Sequence, residues 1–124
     1  MKQFILLSAI TTLLLSNSDC STRPKIDGRY KGKLELAGIC MNYTIRVTEG
    51  KMDTSNIVAN WTDEVTNKSY SNVFRLGNPC NFPASIKQGD EFYFTIDTVK
   101  GKDCMVCLAY YPTPSKALSI KVAE

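Results

Sequence analysis

Short segments of alternating apolar and polar residues dominate the sequence after residue 28. The clearest ones cover residues 29–36, 41–48, 92–97 and 117–122. A period of two places neighbouring side chains on opposite faces of a β-strand, whereas a helix requires a period of about 3.6. Less regular strands are expected over residues 56–62, 70–76 and 104–111. The pattern therefore predicts an all-β fold of about seven strands.

Turn residues separate these segments, as at Glu49-Gly50-Lys51 and Gln88-Gly89-Asp90. Because most neighbouring strands are close in the sequence, we expect a small antiparallel meander that closes into a barrel. A two-sheet β-sandwich is the alternative, since the loop around Cys80 could carry the chain across. The inward phase of the strands predicts a core of Tyr30, Leu34, Leu36, Tyr43, Ile45, Val47, Trp61, Phe74, Phe92, Phe94, Ile96, Val106, Leu108, Leu118, Ile120 and Val122.

The first 19 residues have the pattern of a secretory signal. A positive charge at Lys2 precedes an apolar run over residues 4–15. This run is shorter than the roughly 20 residues of a membrane-spanning helix, which favours an export signal. Residues 20–27 then form a tether, and residues 28–124 form a single all-β domain, since a chain of 124 residues has room for only one.

Small polar residues stand just before Cys20, in the stretch Ser16-Asn17-Ser18-Asp19. This stretch resembles the signal of bacterial lipoproteins, in which a cysteine becomes the acylated N-terminus. The resemblance implies a lipid on Cys20 and attachment to a membrane. Cleavage nearby without lipidation is the alternative. Of the five cysteines, four remain if Cys20 carries a lipid, and an even number suits two disulfides in an oxidising compartment.

Cys104 and Cys107 form a C-x-x-C motif, the one recognisable chemical signature in the chain. Thiol redox chemistry needs a low-pKa thiolate, usually at a helix N-terminus, but the apolar flanks here are typical of a strand. A structural zinc site usually uses two close cysteine pairs, and this sequence has only one. Two structural disulfides are therefore the preferred interpretation.

Strand geometry narrows the pairing of these cysteines. In an extended strand the Cα atoms of Cys104 and Cys107 would lie about 10 Å apart, whereas a disulfide needs about 7 Å or less. Their side chains would also point to opposite faces, so they should not pair with each other. Cys40 and Cys107 both fall on the solvent phase of their segments. We therefore predict the disulfides Cys40–Cys107 and Cys80–Cys104, with the swapped pairing as the alternative.

The composition disfavours several kinds of chemistry. The chain has no histidine, which removes the commonest general base and metal ligand and every Ser-His or Cys-His pair. A net charge of +3 is too small to indicate nucleic-acid binding. The sequence contains no Gly-rich phosphate loop and no calcium-loop spacing. We therefore expect a protein that is not an enzyme and that uses no cofactor, no metal and no nucleic acid.

The remaining hypothesis is a non-catalytic extracytoplasmic binding or structural module. It would lie in the periplasm, the outer membrane or the cell surface of a bacterium, or be secreted, and its partner would be a protein or glycan surface. The candidate binding surface consists of Tyr93, Tyr110, Tyr111, Asn81 and Phe82. A small-ligand carrier with a barrel cavity and an inhibitor of a secreted hydrolase are the alternatives. Large aromatic side chains would fill so small a barrel, which favours a surface module.

Lipidation of Cys20 is testable by intact-mass spectrometry of the mature protein. We expect an N-terminus at Cys20 that carries acyl groups and a protein that partitions with membranes, because each buried methylene adds about 0.8 kcal/mol to membrane affinity. Cys20→Ser should move the protein to the soluble fraction. An unmodified N-terminus downstream of Cys20 would contradict the prediction.

Overall fold

The computed structural model describes residues 28–99 and 101–123, so the signal segment 1–19, the tether 20–27 and Cys20 lie outside the described residues. Within those residues there is no α-helix, and two 3₁₀ turns, Ile39–Met41 and Pro79–Asn81, are present. The all-β prediction is confirmed. The seven strands of the described part are β1 (Arg29–Gly38), β2 (Asn42–Glu49), β3 (Val58–Thr62), β4 (Ser69–Leu76), β5 (Glu91–Ile96), β6 (Ala117–Leu118) and β7 (Ile120–Val122).

All seven strands belong to one sheet, in the order β3-β4-β2-β1-β5-β7, with β6 beside β4. The pairings are antiparallel apart from that of β6 with β4, which is parallel. The order differs from the expected meander, because β4 and not β3 lies beside β2, and β5 returns to β1. Of the two C-terminal strands, β6 pairs with β4 and β7 pairs with β5. The pairing is interrupted at Ser119 between them, and the sheet is not closed.

The core lies on the inner face of this curled sheet. Leu34, Ile45, Phe74 and Phe94 are fully buried there. The ring centroids of Phe74 and Phe94 lie 5.8 Å apart, a separation typical of packed aromatic pairs. Most of the predicted core residues belong to this cluster or pack against it. The cluster also contains four residues that the strand pattern did not select, namely Met52, Ile57, Leu76 and Phe82.

A bulge in β1 places Leu36 on the opposite face of the sheet from Leu34. Leu34 pairs with Ile45 and Leu36 with Thr44, so Glu35 is an extra residue in the ladder. Because Thr44 and Ile45 are consecutive in a strand, their partners face opposite sides. Leu36 is buried, as expected, but on the outer face and not in the core.

Trp61 is not a core residue either. It is half-buried on β3, where its ring stacks on Tyr70 with centroids 6.0 Å apart. The prediction that Trp61 faces the core was wrong, because β3 pairs only with β4, at the end of the sheet order. A strand in that position has less of the sheet to pack against.

Residues 104–111 do not form a strand, which corrects the prediction for this segment. From Gly101 to Pro114 the chain has no strand, helix, turn or bend, so it pairs with no strand of the sheet. Val106 and Leu108, which we expected in the core, are 41% and 97% exposed. Alternation predicts an extended backbone, but a strand also needs a neighbour, and the pattern does not specify one.

The inner face makes a testable prediction about stability. Phe94→Ala should lower the free energy of unfolding by about 3–5 kcal/mol, because it leaves a cavity among fully buried side chains. Urea unfolding followed by circular dichroism measures this, and Phe94→Leu, a smaller change, provides a variant that should still fold.

Val65→Ala is the matched control for this measurement. Val65 is 64% exposed, so its truncation should change stability by no more than about 0.5 kcal/mol. Similar losses in the Phe94 and Val65 variants would contradict the assignment of the core.

Candidate functional site

Residues 101–114, which we call the pinned segment, are attached to the sheet by two disulfides. Cys107 is bonded to Cys40 in the first 3₁₀ turn, and Cys104 is bonded to Cys80 in the second. The Cα separations are 5.0 and 5.6 Å, within the usual range for disulfides. The predicted pairing is confirmed. Both crosslinks join this extended stretch to a turn between strands.

The turn that carries Cys40 has an uncommon backbone. Cys40 and Met41 have φ values of 57° and 58°, in the left-handed region that non-glycine residues rarely adopt. Each such residue costs about 1–2 kcal/mol. β1 and β2 are joined by the three residues Ile39–Met41, and left-handed residues are common in such short hairpin loops. The hairpin and the disulfide together hold Cys40 in this conformation.

Side-chain hydrogen bonds hold the pinned segment at Lys102, before its two cysteines, and at Ala109, after them. The backbone N–H of Lys102 donates to Asn81 Oδ1 at 3.2 Å. Asn42 Nδ2 donates to the carbonyl oxygen of Ala109 at 3.0 Å and to that of Ile39 at 2.8 Å. The side chain of Asn42 therefore ties the segment to the same turn that holds Cys40.

The second half of the segment packs on the outer face of the sheet. The ring of Tyr111 lies against Gly38, where an added Cβ would come within 3.0 Å of the ring and 2.6 Å of Asn42 O. Only glycine allows this approach. Pro112 and Pro114 are buried, and so is Thr44 on the outer face of β2. We call this packed end of the segment, with Tyr111, Pro112 and Pro114, the anchor.

Asp63 is the polar part of this anchor. Its carboxylate is fully buried and accepts hydrogen bonds from Tyr111 Oη (2.8 Å), Thr66 Oγ1 (2.9 Å) and the Val65 backbone N–H (3.0 Å). Burial raises the pKa of Asp63, but the hydrogen bonds from Val65, Tyr111 and Thr66 lower it more, so the net pKa is below the usual range. The same contact with Asp63, together with burial, raises the pKa of Tyr111.

β4 changes its partner strand along its length. Residues 73–75 of β4 pair with β2, whereas residues 69–73 pair with β3. Asn72 lies where the partner changes and has a φ of 55°, a conformation that asparagine tolerates better than most residues. The β3–β4 turn beyond this point contains Asp63, which reaches Tyr111.

Between its anchors the pinned segment exposes apolar side chains. Met105 is 101% exposed, Leu108 97% and Tyr110 78%, and no residue from 104 to 111 is charged. In the described part of the chain, no backbone–backbone hydrogen bond involves residues 101–114. Exposed apolar side chains beside an unpaired backbone are characteristic of a surface that binds another molecule.

Two shallow grooves lie beside the segment. One, of about 350 Å³, is lined by Cys80, Asp103 and Val106, and the other, of about 440 Å³, by Arg75, Leu108 and Tyr110. Both grooves are lined by Gly77, Pro79 and Val106, so they lie one after the other along the segment. A partner that contacts the segment can also contact these depressions.

The sequence-predicted binding residues are only partly brought together. Tyr110 is exposed in the pinned segment, whereas Tyr111 and Asn81 hold it in place. Tyr93 lies on β5, with the Arg29 guanidinium and Lys31 ammonium 5.9 and 5.5 Å from its ring centroid. Phe82 is buried in the core, so the expectation that it forms part of a surface was wrong.

Sequence reasoning missed Met105 and misplaced Leu108. Both were treated as parts of a strand, because their neighbours are apolar. The signal that could have found them is the uncharged run from Cys104 to Tyr111, which contains two cysteines that both pair elsewhere. Because two disulfides attach this run to the rest of the domain, it is held in place without hydrogen bonds to a partner strand.

A larger groove of about 980 Å³ lies along β5 and β7. Its lining mixes charges of both signs with apolar side chains, among them Arg29, Glu91, Tyr93, Lys121 and Val122. Within residues 28–99 and 101–123, no cluster of three or more cysteine and acidic side chains could hold a metal ion. Over the same residues, no helix has the length and apolarity needed to cross a membrane.

Compared with known proteins, the chain matches no protein-family model, no curated protein and no solved structure.

The anchor at Asp63 makes a prediction about stability. Tyr111→Phe should lower the free energy of unfolding by about 1.5–3 kcal/mol, because it removes a hydrogen bond to a buried carboxylate. Tyr110→Phe, at an exposed position, should change it by no more than about 0.5 kcal/mol. Urea unfolding at neutral pH compares the two variants, and equal effects would contradict the anchor.

The pH dependence has a defined sign. The folded-state pKa of Asp63 is below its unfolded value of about 4. Its contribution to stability is therefore present above that pH and is lost as the pH falls through the folded value. Asp63→Asn should flatten the decline in stability between pH 5 and pH 2, an interval of about 3 units around this value. An unchanged pH profile would rule out the ionised carboxylate as the anchor.

Proposed function

We propose that this protein is an exported, non-catalytic binding module that presents the pinned segment to a protein partner and is tethered to a membrane through Cys20. The observation that carries the proposal is the combination of full exposure and covalent fixation. Met105 and Leu108 are almost completely exposed, yet the backbone on either side of Met105 is crosslinked to the sheet. Side chains this exposed add nothing to the packing of the core, so the stability of the domain does not explain them.

Fixation supports binding because it lowers the entropic cost of association. An ordinary exposed loop loses conformational freedom when a partner holds it, and each immobilised side chain adds to that cost. Here the backbone is already restrained by two disulfides and by the hydrogen bond from Asn42 to Ala109. More of the contact energy is then available as affinity.

The position of the segment favours a protein partner over the membrane. The chain enters the sheet at Arg29, and β1 runs ten residues to Gly38, a distance of about 30 Å. The turn with Cys40 follows Gly38, so the pinned segment lies at the end of β1 away from the tether. This end of β1 is opposite the one that the tether joins.

Two observations support surface binding, one over a small-ligand carrier and the other over an enzyme. The inner face of the sheet is filled by side chains such as Phe74 and Phe94, which supports a surface module over a carrier. The buried acid Asp63 is occupied by three hydrogen-bond donors of its own chain. That arrangement suits an anchor better than a catalytic group.

Site-specific photo-crosslinking tests the proposed function in the cells that produce the protein. A photoreactive phenylalanine derivative at position 105 should form an adduct of protein size, because Met105 projects from the segment. The same derivative at position 65 is the control, since Val65 is 64% exposed but lies in the β3–β4 turn. Gel shift and mass spectrometry of the purified adducts provide the readout.

Adducts at position 105 that contain only lipid, or adducts of equal yield at both positions, would contradict the proposal. Met105→Ser combined with Leu108→Ser should compete poorly with the wild type for the captured protein. Because both side chains are exposed, this double variant should unfold at the same urea concentration as the wild type.

A further inference from the structure

We infer that the pinned segment is a substrate-like inhibitor of an extracytoplasmic serine endopeptidase, with Met105 in the primary specificity pocket and Met105–Val106 as the targeted peptide bond. The inference rests on the proposed function and specifies the partner's chemistry. Three features support it, namely the state of the backbone, the side chain at position 105 and the placement of the disulfides.

The backbone has the form that endopeptidases bind. These enzymes hold their substrates as extended strands, through main-chain hydrogen bonds like those of β-strand addition. The pinned segment runs for fourteen residues without a helix, turn or bend, from Gly101 to Pro114, and so has no local structure that would stop it from lying along an enzyme as a strand. Its backbone makes no hydrogen bond to other backbone groups in the described part of the chain. The donors and acceptors near Met105 are therefore free for an enzyme.

The side chains define the type of pocket. Met105 is unbranched and completely exposed, so it can enter a deep apolar pocket without clashing with its own domain. The nearest charged residue on the N-terminal side is Asp103, and none follows up to Tyr111. This composition fits an endopeptidase with an apolar primary pocket and not one that selects a basic side chain.

The disulfides flank the targeted bond. Cys104 precedes Met105 and is attached to Cys80, whereas Cys107 follows Val106 and is attached to Cys40. Cleavage between Met105 and Val106 would therefore leave both new ends bound to the sheet. In an ordinary substrate the amine product diffuses away, but here it stays next to the acyl group.

This arrangement makes acylation reversible. The enzyme's serine oxygen adds to the Met105 carbonyl carbon, the C–N bond to Val106 breaks, and the serine proton passes through the enzyme's base to the Val106 nitrogen. The tethered Val106 amine can then attack the ester, re-form the peptide bond and return the proton to the serine oxygen. Holding the amine beside the ester gives this return step the high effective concentration of an intramolecular reaction.

Inhibition assays with purified endopeptidases test the inference. The disulfide-bonded protein should competitively inhibit chymotrypsin or subtilisin, which accept apolar side chains, and should leave trypsin uninhibited. Met105→Gly should raise the inhibition constant about 30-fold or more, as expected for the central side chain of an interface. The uncleaved chain should remain the main species by reducing electrophoresis throughout the assay, because the disulfide Cys40–Cys107 would hide a cut in a non-reducing gel.

A change of specificity gives the sharper test. Met105→Lys should abolish inhibition of chymotrypsin and create inhibition of trypsin, because the primary pocket of trypsin selects a basic side chain. Val65→Lys is the matched control and should inhibit trypsin no better than the wild type. Position 105 is exposed, so circular dichroism and the urea midpoint should be unchanged in these variants.

Two outcomes would overturn the inference. One is the absence of inhibition of all three enzymes, and the other is rapid cleavage of the segment without inhibition. Either result, combined with a protein adduct at position 105 that is not a peptidase, leaves the binding module intact and rejects only the inhibitor. The absence of any protein adduct, by contrast, rejects the proposed function itself.

Discussion

Two disulfides allow this protein to keep an unpaired, apolar stretch of chain on its surface. An extended segment with free backbone groups would normally join a sheet or become disordered, because nothing else offsets the entropy of holding it in place. Here the disulfides of Cys104 and Cys107 lower the conformational entropy of the unfolded chain, so less entropy is lost when the segment is held in place. Three further contacts hold the segment in place: Asn42 donates a hydrogen bond to Ala109, Tyr111 donates one to Asp63, and the ring of Tyr111 packs against Gly38.

The sheet and its surface segment depend on each other through the order of the chain. The pinned segment lies in the connection between β5 and β6, and just after it the carbonyl oxygen of Lys116 accepts a hydrogen bond from the backbone N–H of Arg75 in β4. The last strands therefore reach β4 and β5 only after the chain has crossed the outer face at Tyr111. Packing on the inner face and anchoring on the outer face both contribute to the position of the segment.

Sequence reasoning recovered what depends on local pattern. Six of the seven expected segments contain strands of the sheet, four of them identified by clear period-two alternation. The predicted disulfide pairing is also present, although its argument assumed a strand over residues 104–111 that the structure lacks. The predictions failed where the structure depends on residues that are distant in the sequence. Leu36 changed face because of a bulge at Glu35 that no residue type announces. Val106 and Leu108 looked like core residues, since apolar character does not show whether a partner strand exists. The anchor at Asp63 required two segments 48 residues apart.

Because the disulfides and hydrogen bonds hold the pinned segment through other residues, the exposed side chains of Met105 and Leu108 take no part in fixing it or in packing the core. Replacing Met105 or Leu108 leaves every crosslink and every anchoring hydrogen bond of the segment in place. Natural selection can therefore alter these two positions without endangering the fold. Homologous chains that face different partners would keep the cysteines, Asn42, Gly38 and Asp63 while diverging between the two crosslinks.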